Sequence, residues 1–185
     1  MNRIEAFRCF EGYLKRNNIY YKKSFDLGVP QIIMKFDVEN VPGSYVESCI
    51  FWFDDVAEVR TYYNASGMEI CKESNQRDEL KNLLNFINAR VFLSCGDSNG
   101  LYKSAMLYTP RMYMTEDGFY GITITTVVNY DFMEVAQLET ADYITIYCPE
   151  LLELLSPAIF GVLLGVMTAK EAVEFIKANV LKEGK

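Results

Sequence analysis

Apolar residues along this chain change their period several times, and each change marks an element. Ile4, Phe7, Phe10 and Leu14 recur at three- and four-residue spacing, which predicts a helix over 3–16 ended by Asn17-Asn18. Four strands are predicted next, over 19–25, 29–38, 45–53 and 57–63. The second alternates: Ile32, Met34, Phe36 and Val38 fall on one side, Gln31, Lys35 and Asp37 on the other. Val41-Pro42-Gly43 and Asp54-Asp55 supply the turns around the third strand. That strand is apolar on both faces, with Val46, Ile50 and Trp52 on one and Tyr45, Cys49, Phe51 and Phe53 on the other. Such a strand asks for cover on both sides: a second helical layer, the tail of the chain, or a partner subunit.

A helix over 75–89 follows, with Leu80, Leu83, Leu84 and Ile87 as its stripe and Ser74 or Asn75 as its cap. Gly96-Asp97-Ser98-Asn99-Gly100 reads as a loop, and a long hairpin is predicted over 101–114 and 119–127, turning at Glu116-Asp117-Gly118. The last third reads as helical. Asp131 and Glu134 have capping-box spacing, Cys148-Pro149 reads as an interruption, and Ser156-Pro157 as a fresh helix start. Thr168 and Glu171 form a further capping box, opening a final helix with Ala172, Phe175 and Ile176 as its stripe. The expected fold class is α+β: an antiparallel sheet with helices packed on it, in the order α-β-β-β-β-α-β-β-α, with an extended C-terminal helical tail. Residues 1–185 form one domain in this reading, with 131–185 a tail packed on the rest.

Composition narrows the function. The chain contains no histidine, so triads, Cys-His pairs and His-ligated metal sites are excluded, and no cofactor or metal is expected. A net charge of −7 argues against a nucleic-acid partner. The local basic residues Lys15-Arg16 and Lys22-Lys23 read as a solvated turn. Five cysteines without C-x-x-C spacing read as free thiols in a reducing, cytoplasmic setting. The apolar run 151–167 resembles a membrane span, but Glu153 and Ser156-Pro157 are expected to divide it into two buried helices.

The order of elements over residues 3–127 resembles the YbjN-like family, which shares the fold of type III secretion chaperones. Its most family-like piece is Leu83-Leu84-Asn85-Phe86-Ile87-Asn88, similar to the N-x-x-N helix end that precedes the family's second group of strands. The strand beginning after Gly100 also fits, whereas the tail beyond Asp131 is longer than the family's closing helix. The resemblance implies a non-enzymatic domain, often dimeric, that binds or regulates other proteins. It carries no catalytic residue.

Candidate chemistry is sparse. Glu116-Asp117 and Asp54-Asp55-Glu58 are carboxylate clusters in predicted turns, and Asp97-Ser98-Asn99-Gly100 lacks the remaining ligands of a calcium loop. Cys148, next to a helix start, is the best-placed thiol for a nucleophile, and Cys95 the one expected to be exposed. Tyr102, Tyr108, Arg111 and Tyr113 form the segment richest in recognition-type residues, and Pro110 suggests an edge strand able to accept a partner strand. Phe51, Phe53, Gly161 and Gly165 are candidates for a homodimer seam. The expected function is a non-enzymatic, chaperone-like protein-binding or regulatory module acting as a homodimer. The alternative is a small-molecule binder, or an unrecognised enzyme, with Arg111 holding an anion in a pocket between sheet and tail helices.

Overall fold

The computed structural model describes residues 1–92, 108 and 110–183. It is α+β. Among the described residues six strands form one sheet of order β1-β2-β3-β4-β6-β5, every neighbouring pair antiparallel. The strands are β1 Tyr21–Asp26, β2 Val29–Asp37, β3 Tyr45–Trp52, β4 Val56–Tyr63, β5 Arg111–Met114 and β6 Ile122–Asn129. The predicted stretch 101–107 lies outside the described residues, as do residue 109, Cys95 and the 96–100 loop.

Helix α1 (Arg3–Arg16) starts with Asn2, which accepts from the Ile4 and Glu5 amides while Glu5 reaches back to the Asn2 amide. Its buried stripe is Ala6, Phe10, Tyr13 and Leu14. Ile4, expected on that stripe, is 57% exposed, because the sheet meets the helix one side further round. A helix absent from the sequence reading, α2 (Ala65–Glu73), follows β4 directly. Asn64 makes the join: its amide donates to the carbonyls of Pro42 (2.5 Å) and Tyr45 (2.6 Å), and its carbonyl caps α2 by accepting from Ser66. Gly43, at φ 74°, presses against this side chain so closely that a Cβ would lie 2.8 Å from it. Helix α3 (Arg77–Phe86) runs on through one wide turn, Ile87–Val91, and buries the expected leucines. Its N-cap residue is Gln76; the Ser74 hydroxyl accepts from the Gln76 amide at 3.0 Å and donates to the Leu163 carbonyl at 2.6 Å.

The tail differs from expectation. Helix α4 (Tyr130–Val135) is capped by Asn129, not Asp131, and no capping box forms with Glu134. Helix α5 (Gln137–Asp142) passes through a wide turn, Tyr143–Tyr147, into α6 (Cys148–Leu163). Neither proline breaks the helix. Pro149 falls in the first turn of α6, where the wide turn before it makes the missing amide cheap, and Pro157 sits inside α6 on its exposed side, where water can reach the freed carbonyl. By length and composition Gln137–Leu163 could cross a membrane, yet 67% of its most apolar stretch is buried within the fold. Gly165, at φ 69°, ends α6, and Val166 and Met167 donate back to the Gly161 carbonyl. Gly161 and Gly165 therefore form a helix terminator closed by Met167, not a face for helix approach. Helix α7 (Ala169–Asn179) begins with the expected Thr168–Glu171 capping box.

Helices α1, α4 and α6 stand on one sheet face. Phe10 and Tyr130 pack on Trp52, and Phe160 on Tyr63, whose hydroxyl donates to the Leu152 carbonyl at 2.6 Å. Helices α3 and α7 pack against α6, and α2 closes the end of β4. The core is Ile32, Met34, Val46, Ile50, Trp52, Val59, Tyr63 and Ile124 with these helices above it.

Candidate functional site

The opposite face carries no described helix. Alternation and register place Gln31 and Ile33 of β2, Cys49 and Phe51 of β3, Arg60 and Tyr62 of β4, Thr123 of β6 and Tyr113 of β5 on it together. These side chains line a groove of about 400 Å³, completed by Met68 of α2 and by Asp117 and Phe119 of the turn between β5 and β6. That turn is pinned: Thr115 donates to Asp117 at 2.8 Å, Asp117 accepts from the Phe119 amide, and the Thr115 amide donates to the Gly121 carbonyl.

Arg60 organises one wall. Its Nε donates to Glu58 at 2.7 Å, and its guanidinium lies 4.7 Å from the centre of the Phe51 ring. Phe51 in turn stacks on Phe53, with ring centres 6.4 Å apart. Further along the same face the Lys35 ammonium sits 3.7 Å over the Tyr45 ring. Burial pushes the Cys49 thiol up to about 12, against the opposing pull of Arg60, while Asp26, Glu47 and Glu58 add to the rise. Burial, with help from Glu47, likewise lifts the Tyr62 hydroxyl to about 12. Gln31 is 7% exposed and Thr123 is 4% exposed.

The sequence-predicted residues scatter. Phe51, Phe53 and Tyr113 lie on this face. Tyr108 does not: it is buried in the helical layer, hydrogen-bonded to Thr140, with its ring 4.4 Å from that of Tyr143. Arg111 is exposed, shares the face of Tyr113, and lines an adjoining cleft at the free edge of β5 with Lys81, Asn85, Asn88 and Glu116. Tyr102 lies outside the described residues. Gly161 and Gly165 lie in the helical layer on the other side of the sheet from Phe51 and Phe53, so the four do not form one seam. The groove is on the face away from the tail helices, not between sheet and tail.

The other candidates resolve into structure. Asp54 pairs with Arg3 at 2.7 Å, and hydrogen bonds from Thr115 and the Phe119 amide hold the Asp117 carboxyl low. Cys148 is buried beneath the sheet, and burial pushes its thiol up to about 12, the reverse of what a nucleophile needs. Among the described residues no three metal-ligating side chains cluster. Pro110 does precede an edge strand, but the edge is occupied: the Asn88 side chain donates to the Met112 carbonyl and accepts from its amide. Gln31, Cys49, Arg60, Tyr62 and Thr123 were not singled out from the sequence as binding residues. Their strand parity was readable, but their meeting depends on a register that spans β2 to β6. Comparison of the chain with protein-family models, with curated proteins and with solved structures finds no match.

Proposed function

We propose that this chain is a non-enzymatic binding module, regulatory or chaperone-like in role, that engages another protein over the sheet face that carries no described helix. The observation that supports it is the segregation of layers: α1, α4 and α6 stand on one face, while the other presents Phe51, Phe53 and Tyr113 around an open groove. Phe53 at 37%, Val127 at 62% and Phe119 at 68% exposure give that face an apolar margin. Absence of histidine and four described thiols all held protonated by burial favour binding over catalysis. Free, mostly buried cysteines suit a reducing cytoplasm. The YbjN-like resemblance is compatible with this reading and contributes no residue to it.

The partner placed first is a second copy of the chain. Light scattering coupled to size exclusion, over a dilution series in reducing buffer, tests this with wild type and Phe51→Glu. A wild-type dimer that becomes a soluble monomer in Phe51→Glu supports the face as the seam. Equal mass in both removes the face from that role.

A second reading rests on the groove itself. Its volume lies within the range of about 300–1,000 Å³ typical of small-ligand sites. Gln31 and Thr123 add polar groups to its lining. Arg111 lies on the same sheet face, two residues along β5 from Tyr113 and opposite Thr125, and lines the adjoining cleft.

A further inference from the structure

We infer that a second groove, between α1 and β1 on the helix-covered side of the sheet, docks an acidic amphipathic helix of another protein. The helical layer stops short of the sheet's edge. Phe7 and Phe10 seat α1 on Trp52 of β3, with α4 and α5 on its inner flank. Toward the edge, Glu11 of α1 accepts from Tyr21 and Lys23 of β1, and no described helix packs beyond it. A groove of about 330 Å³ runs there, with Ile4, Phe7, Phe25 and Pro30 as its apolar lining. Ile4 is 57% exposed and Phe25 74%, so both still have burial to gain.

The hairpin tip beyond Phe25 carries a second sign of a missing partner. Asp26 pairs with Val29, leaving Leu27-Gly28 as a two-residue turn with φ of 47° and 84°. Such a turn favours Asn, Asp or Gly at its first position, because the left-handed region crowds a larger side chain. Leucine stands there fully exposed, so the free chain bears the strain without burying the side chain. Two residues from Phe25, it lengthens the apolar margin of the groove.

Charge gives the partner its sign. Arg3, Arg8, Lys23 and Glu11 line the groove, three cations to one carboxylate. The ion-pair partners that reach it from outside cancel, Asp54 on Arg3 and Lys15 on Glu11. Lys22 and Asp26 alternate to the opposite face of β1, and the Glu5 carboxylate turns back to the Asn2 amide. A cationic surplus therefore remains on a chain whose net charge is −7, and it favours carboxylates in the partner. Spacing gives the partner its shape. β1 lies two strand spacings from β3, about 9.6 Å, and packed helices lie about 8–10 Å apart. A helix over β1 thus sits beside α1 at packing distance and continues its layer.

The probe is a fluorescein-labelled peptide of about five helical turns, leucine on one face and glutamate on the other, with a twin in which lysine replaces every glutamate. Titrated with the full chain at about 0.15 M salt and followed by anisotropy, the acidic peptide should saturate and the lysine twin bind at least about tenfold more weakly. Fluorescence of Trp52, the chain's single tryptophan and 5.4 Å from Phe7, should shift as the acidic peptide binds. Phe25→Ser and Arg8→Glu, both at exposed positions, should each weaken it about tenfold. Leu27→Asn relieves the turn, so it should raise the melting temperature and still weaken the peptide, a split that a purely structural role does not produce. Circular dichroism checks that each variant folds. No saturation, equal affinity for the twin, or wild-type affinity in all three variants overturns the proposal. Two other results overturn it in favour of a different occupant, each with the peptide silent. Cosedimentation with phosphatidylserine vesicles that is lost in Leu27→Asn assigns the tip to a membrane, and a mass by light scattering that falls in Phe25→Ser assigns the groove to a second copy.

Discussion

Asn88 grips Met112 at both ends of its peptide unit. The side-chain amide donates to the Met112 carbonyl at 2.9 Å, and the side-chain oxygen accepts from the Met112 amide at 2.8 Å. One side chain thus imitates a neighbouring strand along the free edge of β5 and withdraws that edge from pairing. At the far edge Lys22 and Lys23 of β1 perform a similar service by charge. Among the described residues both rims of the sheet are thus guarded.

Asn88→Ala should therefore cost about 2 kcal/mol, since two backbone groups lose their partners at a half-buried position. Urea unfolding measures the cost. Light scattering should also show association through the uncovered edge, and a variant as stable and as dispersed as wild type would mean the two bonds contribute nothing.

Gly67→Ala tests the seam between α2 and α6. A Cβ there would lie 2.7 Å from the Tyr63 Cβ and 3.1 Å from Phe160. Alanine gains about 1 kcal/mol of helix propensity, but overpacking costs about 1–3 kcal/mol. Net destabilisation is expected as a lower urea midpoint with an unchanged slope. A higher midpoint would show that Tyr63 and Phe160 yield without strain.

Glu11 sets an acid limb. The Tyr21 hydroxyl donates to it at 2.6 Å and the Lys23 ammonium at 2.9 Å, and these bonds hold its carboxyl down to about 2. An unfolded glutamate titrates near about 4.3. The folded value is the lower one, so the stabilisation is complete above about pH 4.3 and is lost as pH falls toward 2. Melting temperature should fall more steeply through that window in wild type than in Glu11→Gln. Parallel curves would assign the acid limb to other carboxylates.

Thiol reactivity follows burial. Burial pushes Cys49 and Cys148 up to about 12 and Cys71 to about 11, while Cys9, partly exposed, is raised less far. In a Cys95→Ser background at pH 8, a disulfide reagent should modify Cys9 first and the other three only on unfolding. Rapid modification of Cys148 in the native state would contradict its place beneath the sheet.

Much of the scaffold was legible because its signals are local. Alternation gave β2, β3 and β4 to within a residue of their ends, and the Leu80, Leu83, Leu84, Ile87 stripe identified the buried side of α3. Helix α2 escaped because Ala65–Glu73 carries a weak stripe and owes its start to Asn64, whose side chain reaches back across β3 and β4 to Pro42 and Tyr45. The prolines misled for a related reason. Pro149 and Pro157 are breakers by local rule, yet the wide turn before Pro149 and the exposed position of Pro157 let the helix run through both.

The chain's own pattern determined an α+β fold, a sheet with one strand apolar on both sides, and a chemistry without histidine, because periodicity and composition belong to each segment alone. Tertiary structure decided which side of the sheet the described helices cover, that Tyr108 is core while Tyr113 lines a groove, and that Gln31, Arg60 and Thr123 share that groove. Those outcomes depend on strand order and register. A groove built across four strand pairings exists only after residues nearly a hundred positions apart have been brought side by side.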